Sequence, residues 1–159
     1  MKKWIVSGVI VLLLVLCGAG AYSYNSIRAP LDEQYARAET YAINEAGLHT
    51  ITDIAYYHGT NTYYVVSGSD SEQEQIVWIA DDFESHHIEA AADGITEQQA
   101  LDIVSNQADI GQVQAIRLGF ERQLPVYEVT YMNSEGNQAY YYLTFADGTF
   151  MKRYQIRVD

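Results

Sequence analysis

The hydrophobic pattern of the chain begins with one long apolar stretch. Lys2 and Lys3 are followed by no charged residue until Arg28, and residues 5–16 are almost wholly aliphatic. About 20 apolar residues in a helix cross the roughly 30 Å hydrocarbon core of a bilayer. The pattern therefore predicts a single transmembrane helix within residues 1–27, with the paired lysines holding the N-terminus in the cytoplasm. On this prediction the rest of the chain is extracytoplasmic.

Two alternatives to a retained anchor stay open. Ala19-Gly20-Ala21 has the small-x-small form of a signal-peptide cleavage site, and the apolar stretch is short enough for such a peptide. Cys17 could carry a lipid, although Leu16 stands where lipoprotein processing prefers a small side chain. In each case the remaining chain is exported.

Two later segments carry the three-and-four spacing of an amphipathic helix. The first ends at Gly47. The second begins at Thr96, which forms a capping-box pair with Gln99, and it ends at Gly111. The apolar positions of the two helices are Leu31, Tyr35, Ala38, Ala42 and Ala46, and then Ala100, Leu101, Val104 and Ala108.

Each predicted helix is followed by segments with strand chemistry. These segments are rich in aromatic and β-branched residues and are separated by polar or glycine-containing turns. The predicted strands span residues 50–57, 62–67, 75–80, 86–90, 113–122, 126–132, 138–146 and 150–158.

The two halves read as the same unit repeated. Residues 63–66 (Tyr-Tyr-Val-Val) match residues 126–129 (Val-Tyr-Glu-Val), and residues 79–82 match residues 145–148. The sequence therefore predicts an α+β fold in which an N-terminal transmembrane helix precedes two modules, residues 28–93 and 94–159. Each module has one helix packed on an antiparallel β-meander.

Charge and cysteine content narrow the possible functions. The formal net charge is −12, and an acidic surface repels phosphate backbones, so nucleic acid binding is not expected. Such a surface attracts basic proteins or cations, although it also simply keeps an exported domain soluble. Cys17 is the only cysteine, which excludes an intrachain disulfide and a zinc–cysteine site.

The search for catalytic or metal-binding motifs yields two weak candidates. His86 and His87 are adjacent, but neighbours on a strand point to opposite faces, which disfavours a shared metal. Asp70, Glu72 and Glu74 alternate like calcium ligands, but Gln75 stands where a calcium loop needs glycine, so a polar hairpin is favoured. We therefore predict no catalytic, cofactor-binding or metal-binding residue and a protein that is not an enzyme.

Tyrosine-rich strands offer a different kind of site. The pairs at residues 56–57 and 63–64 and the triplet at residues 140–142 place rings on both faces of a sheet. Half of these rings should belong to the core. The outward half could form a recognition surface, because tyrosine is enriched at interfaces, or could simply pack across strands.

Several short motifs, taken in order, resemble known families. Residues 94–101 (Gly-Ile-Thr-Glu-Gln-Gln-Ala-Leu) and residues 145–148 (Phe-Ala-Asp-Gly) resemble the helix entry and final turn of PepSY domains. Residues 63–68 (Tyr-Tyr-Val-Val-Ser-Gly), 76–79 (Ile-Val-Trp-Ile) and 128–131 (Glu-Val-Thr-Tyr) are similar to the TseB-like regulators of cell wall elongation in Gram-positive bacteria. Gln73-Glu74 departs from that pattern, because such hairpins usually carry a glycine there.

The resemblance implies a PepSY- or cystatin-like fold and a function. A TseB-like protein would be a non-catalytic, single-pass membrane protein that regulates wall growth by binding a wall-synthesis enzyme, plausibly a penicillin-binding transpeptidase. The PepSY resemblance alone implies a second possibility, an extracellular protease inhibitor or propeptide-like module. A third, an enzyme acting on wall material, lacks a supporting motif.

Overall fold

The computed structural model describes residues 31–157, which fold as an α+β structure. Two four-stranded antiparallel sheets each follow chain order, which confirms this part of the predicted fold class. The predicted anchor in residues 1–27 lies outside the described residues. Among residues 31–157, no helix combines the length and apolar composition needed to cross a bilayer.

The first half of the described chain contains one helix and the first sheet. Helix α1 covers residues 31–44. The strands of the sheet are β1 (Thr50–His58), β2 (Thr62–Ser69), β3 (Glu74–Ala80) and β4 (His86–Ala90).

The second half repeats this order of elements. A 3-10 turn at Ala91–Asp93 leads into helix α2 (Glu97–Gln107). The strands of the second sheet are β5 (Gln112–Glu121), β6 (Leu124–Met132), β7 (Gln138–Thr144) and β8 (Phe150–Ile156).

The predicted end of α1 and the predicted start of α2 are confirmed, whereas α2 ends at Gln107, four residues before the predicted Gly111. Gly47 adopts a positive φ of 78°, and the Leu48 N–H donates to the Ala42 carbonyl at 3.1 Å, which closes the end of α1. At the start of α2, the Thr96 N–H donates to Gln99 Oε1 at 2.8 Å, and Thr96 Oγ1 accepts the Gln99 N–H at 3.2 Å. This is the predicted capping box.

All eight predicted strands form, but the connection between β5 and β6 was predicted wrongly. The predicted strands left residues 123–125 as the connection, whereas the chain turns at Arg122 and Gln123, with φ values of 52° and 65°. Pro125 lies inside β6 and pairs with Phe120. The tight turn has neither glycine nor asparagine, the residues that usually mark two positive φ angles, so no local signal identified it.

The last two strands are also shorter than predicted. Strand β7 ends at Thr144, two residues early, because the Thr144 carbonyl accepts the Gly148 N–H at 3.0 Å and starts the turn. Strand β8 ends at Ile156.

Each sheet packs a helix on one face. Tyr41 of α1 lies 6.0 Å from the Phe83 ring, which stacks 5.3 Å from Tyr64 of the first sheet (centroid distances). On the second sheet, the Tyr127 hydroxyl donates at 3.0 Å to the Ile95 carbonyl, just before α2. Buried Ala100 and Val104 of α2 belong to the same hydrophobic cluster.

The face of the first sheet opposite α1 packs against the second half of the chain. Trp78 is fully buried there and lies 6.3 Å from Phe120 and 5.6 Å from Phe145. Both sheets belong to one compact unit that begins at Ala38. The predicted division into modules at residues 93 and 94 stays a prediction.

Candidate interaction surface

The strand register places a row of polar and aromatic side chains across the second sheet, on the face opposite α2. Arg117 pairs with Glu128, Glu128 with Tyr142, and Tyr142 with Lys152, so one row crosses all four strands. Alternation along each strand brings further residues to this face. We call it the tyrosine face, and it comprises Arg117, Glu121, Glu128, Thr130, Tyr140, Tyr142, Lys152, Tyr154 and Ile156.

Glu128 sits at the centre of a buried hydrogen-bond network on this face. Its Oε2 accepts the Tyr142 hydroxyl at 2.6 Å, and Tyr142 and Tyr154 share a hydrogen bond of 2.9 Å between their hydroxyl oxygens. Arg117 Nη1 lies 3.6 Å from Glu128 Oε1. Burial, together with the hydrogen bond to Glu128, raises the pKa of the Tyr142 hydroxyl. The hydroxyl therefore stays protonated and acts as a donor.

Glu121 links the two sheets at the edge of the same face. Its Oε1 accepts the Tyr57 hydroxyl at 3.1 Å and the Thr60 N–H at 2.8 Å, both from the first sheet side. Its Oε2 accepts Thr60 Oγ1 at 2.8 Å and Lys152 Nζ at 2.9 Å. Glu121 is only 2% exposed, and these protein donors take the place of water at both carboxylate oxygens.

The protonation state of Glu121 follows from these donors. Burial by itself opposes ionisation, but the hydrogen bonds from the Thr60 N–H, Lys152, the Thr60 hydroxyl and Tyr57 outweigh it and lower the pKa to about 2. A general acid needs a pKa raised toward the working pH. A carboxylate held ionised by four donors instead suits a structural link between the sheets.

Two glycines allow Tyr57 and the turn after β1 to lie close to Glu121 and β5. A Cβ on Gly119 would lie 2.3 Å from the Tyr57 ring, and a Cβ on Gly59 would lie 2.1 Å from Glu121 Oε1. Any larger residue at either position would push Tyr57 or Glu121 away. The first sheet is therefore fitted closely to this end of the tyrosine face.

The outer part of the tyrosine face is exposed. Tyr154 is 45% exposed and Ile156 is 52% exposed, and the Tyr154 ring stacks on Tyr140 with a centroid distance of 4.8 Å. An exposed aromatic and aliphatic pair on a rigid, hydrogen-bonded base has the composition of a recognition surface. The predicted division of tyrosines between core and surface holds only in part, since Tyr127 and Tyr141 are buried on the opposite face but Tyr142, on the tyrosine face, is buried as well.

The histidine pair lies where strand geometry predicted. His86 Nδ1 lies 3.1 Å from the Tyr41 hydroxyl on the α1 side, whereas the His87 ring contacts Trp78 on the other face. His87 Nε2 lies 2.8 Å from Glu89 Oε1. The two imidazoles therefore face different partners, as expected for neighbours on a strand.

The acidic segment that resembles calcium ligands forms the β2–β3 hairpin. Asp70 Oδ1 accepts the N–H groups of Glu72 and Gln73 at 2.7 and 2.8 Å. This side chain closes the turn without a glycine, which resolves the geometry at the departure noted for Gln73-Glu74. Within residues 31–157, no group of three His, Cys, Asp or Glu side chains could hold a metal ion.

The sequence did not point to Glu121 or Glu128. Both stand in strands that otherwise look like ordinary half-buried segments. Glu128 opens the Glu-Val-Thr-Tyr motif, but that motif assigns no role to its carboxylate. The one available signal was the mismatch in the internal repeat, where Glu128 takes the place of Val65. A carboxylate at a position that is apolar in the other half marks a change of environment.

One segment of the first half of the chain matches a known family model. Residues 37–80 match the family model of the cell wall elongation regulator TseB-like domain. This segment is therefore similar to a TseB-like domain, which confirms the TseB-like resemblance noted in the sequence. The PepSY resemblance stays a prediction.

Two proteins from Bacillus subtilis are similar over most of the chain. The first, from strain 168, is named probable cell wall elongation regulator TseB and is 27% identical over 150 residues, which cover 93% of this chain and 92% of that protein. The second is the solved structure of the YpmB protein, with 27% identity and a TM-score of 0.70, and it covers 74% of this chain and 94% of the solved one.

Proposed function

We propose that this chain is a non-catalytic, membrane-anchored extracytoplasmic protein that regulates cell wall elongation by binding a wall-synthesis enzyme, such as a penicillin-binding protein. The observation that carries the proposal is the similarity, over nearly the full length of both chains, to a protein named as a cell wall elongation regulator. A regulatory role in wall elongation follows from that likeness. The binding step is our extension of it.

The tyrosine face is the surface we assign to this binding. Its exposed large apolar residues, Tyr154 and Ile156, lie on the edge strand β8, which pairs only with β7 in the sheet order. Behind them, the network of Glu128 and Tyr142 holds the strand surface rigid. Rigid aromatic contacts lose little conformational entropy when a partner binds.

Membrane attachment would strengthen a weak contact of this kind. An anchor in residues 1–27 would confine the protein and an anchored enzyme to the same surface, which raises their effective concentration. A small interface on β8 would then be sufficient to hold the partner enzyme at the membrane surface.

Crosslinking in intact cells tests the proposal. A photoreactive amino acid in place of Tyr154 should give an adduct that a fluorescent penicillin labels, because penicillin-binding enzymes react with that reagent. The matched control places the same photoreactive group at Gln98, an exposed position on α2. Equal labelled adducts from both positions, or none from Tyr154, would contradict binding through the tyrosine face.

A further inference from the structure

We propose that a second site, an aromatic pocket between the two sheets, binds an arginine side chain presented by a partner protein. The pocket lies at the ends of β3 and β5, away from the tyrosine face. It is lined by Tyr63, Trp78, Ser85, His86, His87, Phe120 and Gln123.

Four rings form the wall of this pocket. Phe120 of β5 lies at its centre, with ring centroids 5.0 Å from Tyr63, 5.2 Å from His87 and 6.3 Å from Trp78. Because the pocket is bounded by rings from both sheets, it exists only where the two sheets meet. A cation over such rings is attracted by their π-electron density, and the planar guanidinium group also stacks on them.

Carboxylates adjoin the aromatic pocket. Tyr63 and Ser85 also line a neighbouring hollow, whose other walls include the exposed side chains of Asp81 and Asp82. Asp82 Oδ1 accepts the Glu84 N–H at 2.9 Å, which holds that carboxylate in place. A guanidinium group lying on the rings could extend its N–H donors toward these oxygens, a pairing that suits arginine better than lysine. The net charge of −12 favours the approach of a basic partner.

The turns at the rim of the pocket have an unusual backbone. Phe83, two residues before Ser85, has a φ of 61°, and Gln123 in the pocket wall has a φ of 65°. Residues other than glycine rarely adopt such φ angles, and strained backbone positions of this kind cluster at ligand-binding sites. Two such turns meet at this pocket, one from each sheet.

Trp78 supplies a reporter for the pocket. Its indole Nε1 is buried and has no hydrogen-bond partner among the described residues. Its NMR signal should therefore respond to a cation placed on the neighbouring rings. The chain has two tryptophans, so a Trp4→Phe variant assigns the signal.

The test is a titration of the full-length protein in neutral detergent, followed through the Trp78 indole signal. The probe is a blocked peptide, Gly-Arg-Leu-Gly, and its control replaces arginine with citrulline, which keeps the shape and removes the charge. We expect saturable binding of the arginine peptide in the millimolar range and at least about 10-fold weaker binding of the citrulline peptide. Equal binding of the two peptides, or an unmoved Trp78 signal, would overturn the proposal.

A pair of variants separates the pocket from the general acidity of the protein. The double variant Asp81→Asn with Asp82→Asn should weaken arginine binding about 5- to 10-fold, because it removes the carboxylates beside the rings. The matched variant Glu72→Gln with Glu74→Gln removes the same charge at the other end of the first sheet, and it should change binding by less than about 2-fold, since salt screens distant charges. Equal losses in both variants would overturn a local site. This outcome is independent of crosslinking at Tyr154.

Discussion

The two sheets share one framework but use the face opposite their helix differently. Each has four strands in chain order, and each first strand carries an irregularity at the same place, between Ile51 and Asp53 in β1 and between Val113 and Ala115 in β5. Counting from these irregularities, the row Ala55, Val65, Trp78 and His87 in the first sheet corresponds to Arg117, Glu128, Tyr142 and Lys152 in the second.

The difference between the two rows follows from what covers them. Trp78 packs against Phe120 and Phe145 of the second half and is fully buried, so its row is apolar and aromatic. In the second row, the Arg117 side chain is 55% exposed. The buried Glu128 and Tyr142 are hydrogen-bonded to each other within the sheet. One meander thus supplies a packing face in one copy and, in the other, the partly exposed face to which we assign partner binding.

Replacement of Trp78 with alanine should have the largest effect on this framework. Removing a fully buried indole between the sheets should lower the free energy of unfolding by about 3–5 kcal/mol. Urea unfolding followed by circular dichroism measures the loss. The control Tyr56→Ala removes an aromatic ring that is 43% exposed on β1 and should cost about 1 kcal/mol or less. Similar losses in both variants would show that the sheets are not joined through Trp78.

Acid should weaken the link between the sheets at Glu121. Its pKa falls from an ordinary value of 4.5 to about 2 in the folded protein, so the unfolded chain binds the proton more readily. The stabilisation is complete above pH 4.5 and is lost as the pH falls toward 2, with a total on the order of 3 kcal/mol.

Unfolding measured across this pH range tests the role of Glu121. A Glu121→Gln variant should lack this part of the pH dependence, whereas Glu45→Gln, at an exposed position, should keep it. If the free energy of unfolding of the Glu121→Gln protein kept the same dependence on pH, Glu121 would not be the source of this stabilisation.

The smallest effect is expected at Arg117, the exposed end of the second row. Arg117→Met removes an ion pair whose atoms are 3.6 Å apart and whose cation is 55% exposed, so solvent already screens it. The free energy of unfolding should fall by less than about 1 kcal/mol, because Glu128 keeps its hydrogen bond from Tyr142. Arg157→Met serves as the charge-matched control. A loss of more than about 2 kcal/mol specific to Arg117 would mean that the row depends on its charges for stability.

Local patterns predicted the elements of the fold well. The capping box at Thr96, the glycine that ends α1 and the alternation of the eight strands are all short-range features, and each formed as predicted. The match of residues 63–66 with 126–129 also agrees with the register, since Val65 and Glu128 occupy corresponding places. The second internal match does not agree, because the register places Leu143 rather than Phe145 opposite Tyr127, where Ile79 lies opposite Tyr64.

The candidate sites could not be predicted in the same way. The contacts of Glu121 with Tyr57 and Thr60, and of Phe120 with Trp78, join residues far apart in sequence, and they depend on how one sheet packs on the other. The turn at Arg122 and Gln123 lacks the usual residues for its backbone angles. Long-range packing determines the contacts of Glu121 and Phe120, and a single sequence carries no direct record of it.

The fit of the Tyr57 ring against Gly119 has a consequence for how this fold changes during evolution. Because the ring fills the space that a side chain at position 119 would need, a homologue can gain bulk there only if position 57 loses it. The same restriction applies to positions 59 and 121, because a side chain at position 59 would collide with the Glu121 carboxylate. These two pairs should therefore substitute together, and their covariation would trace the joint between the sheets through the family's descent.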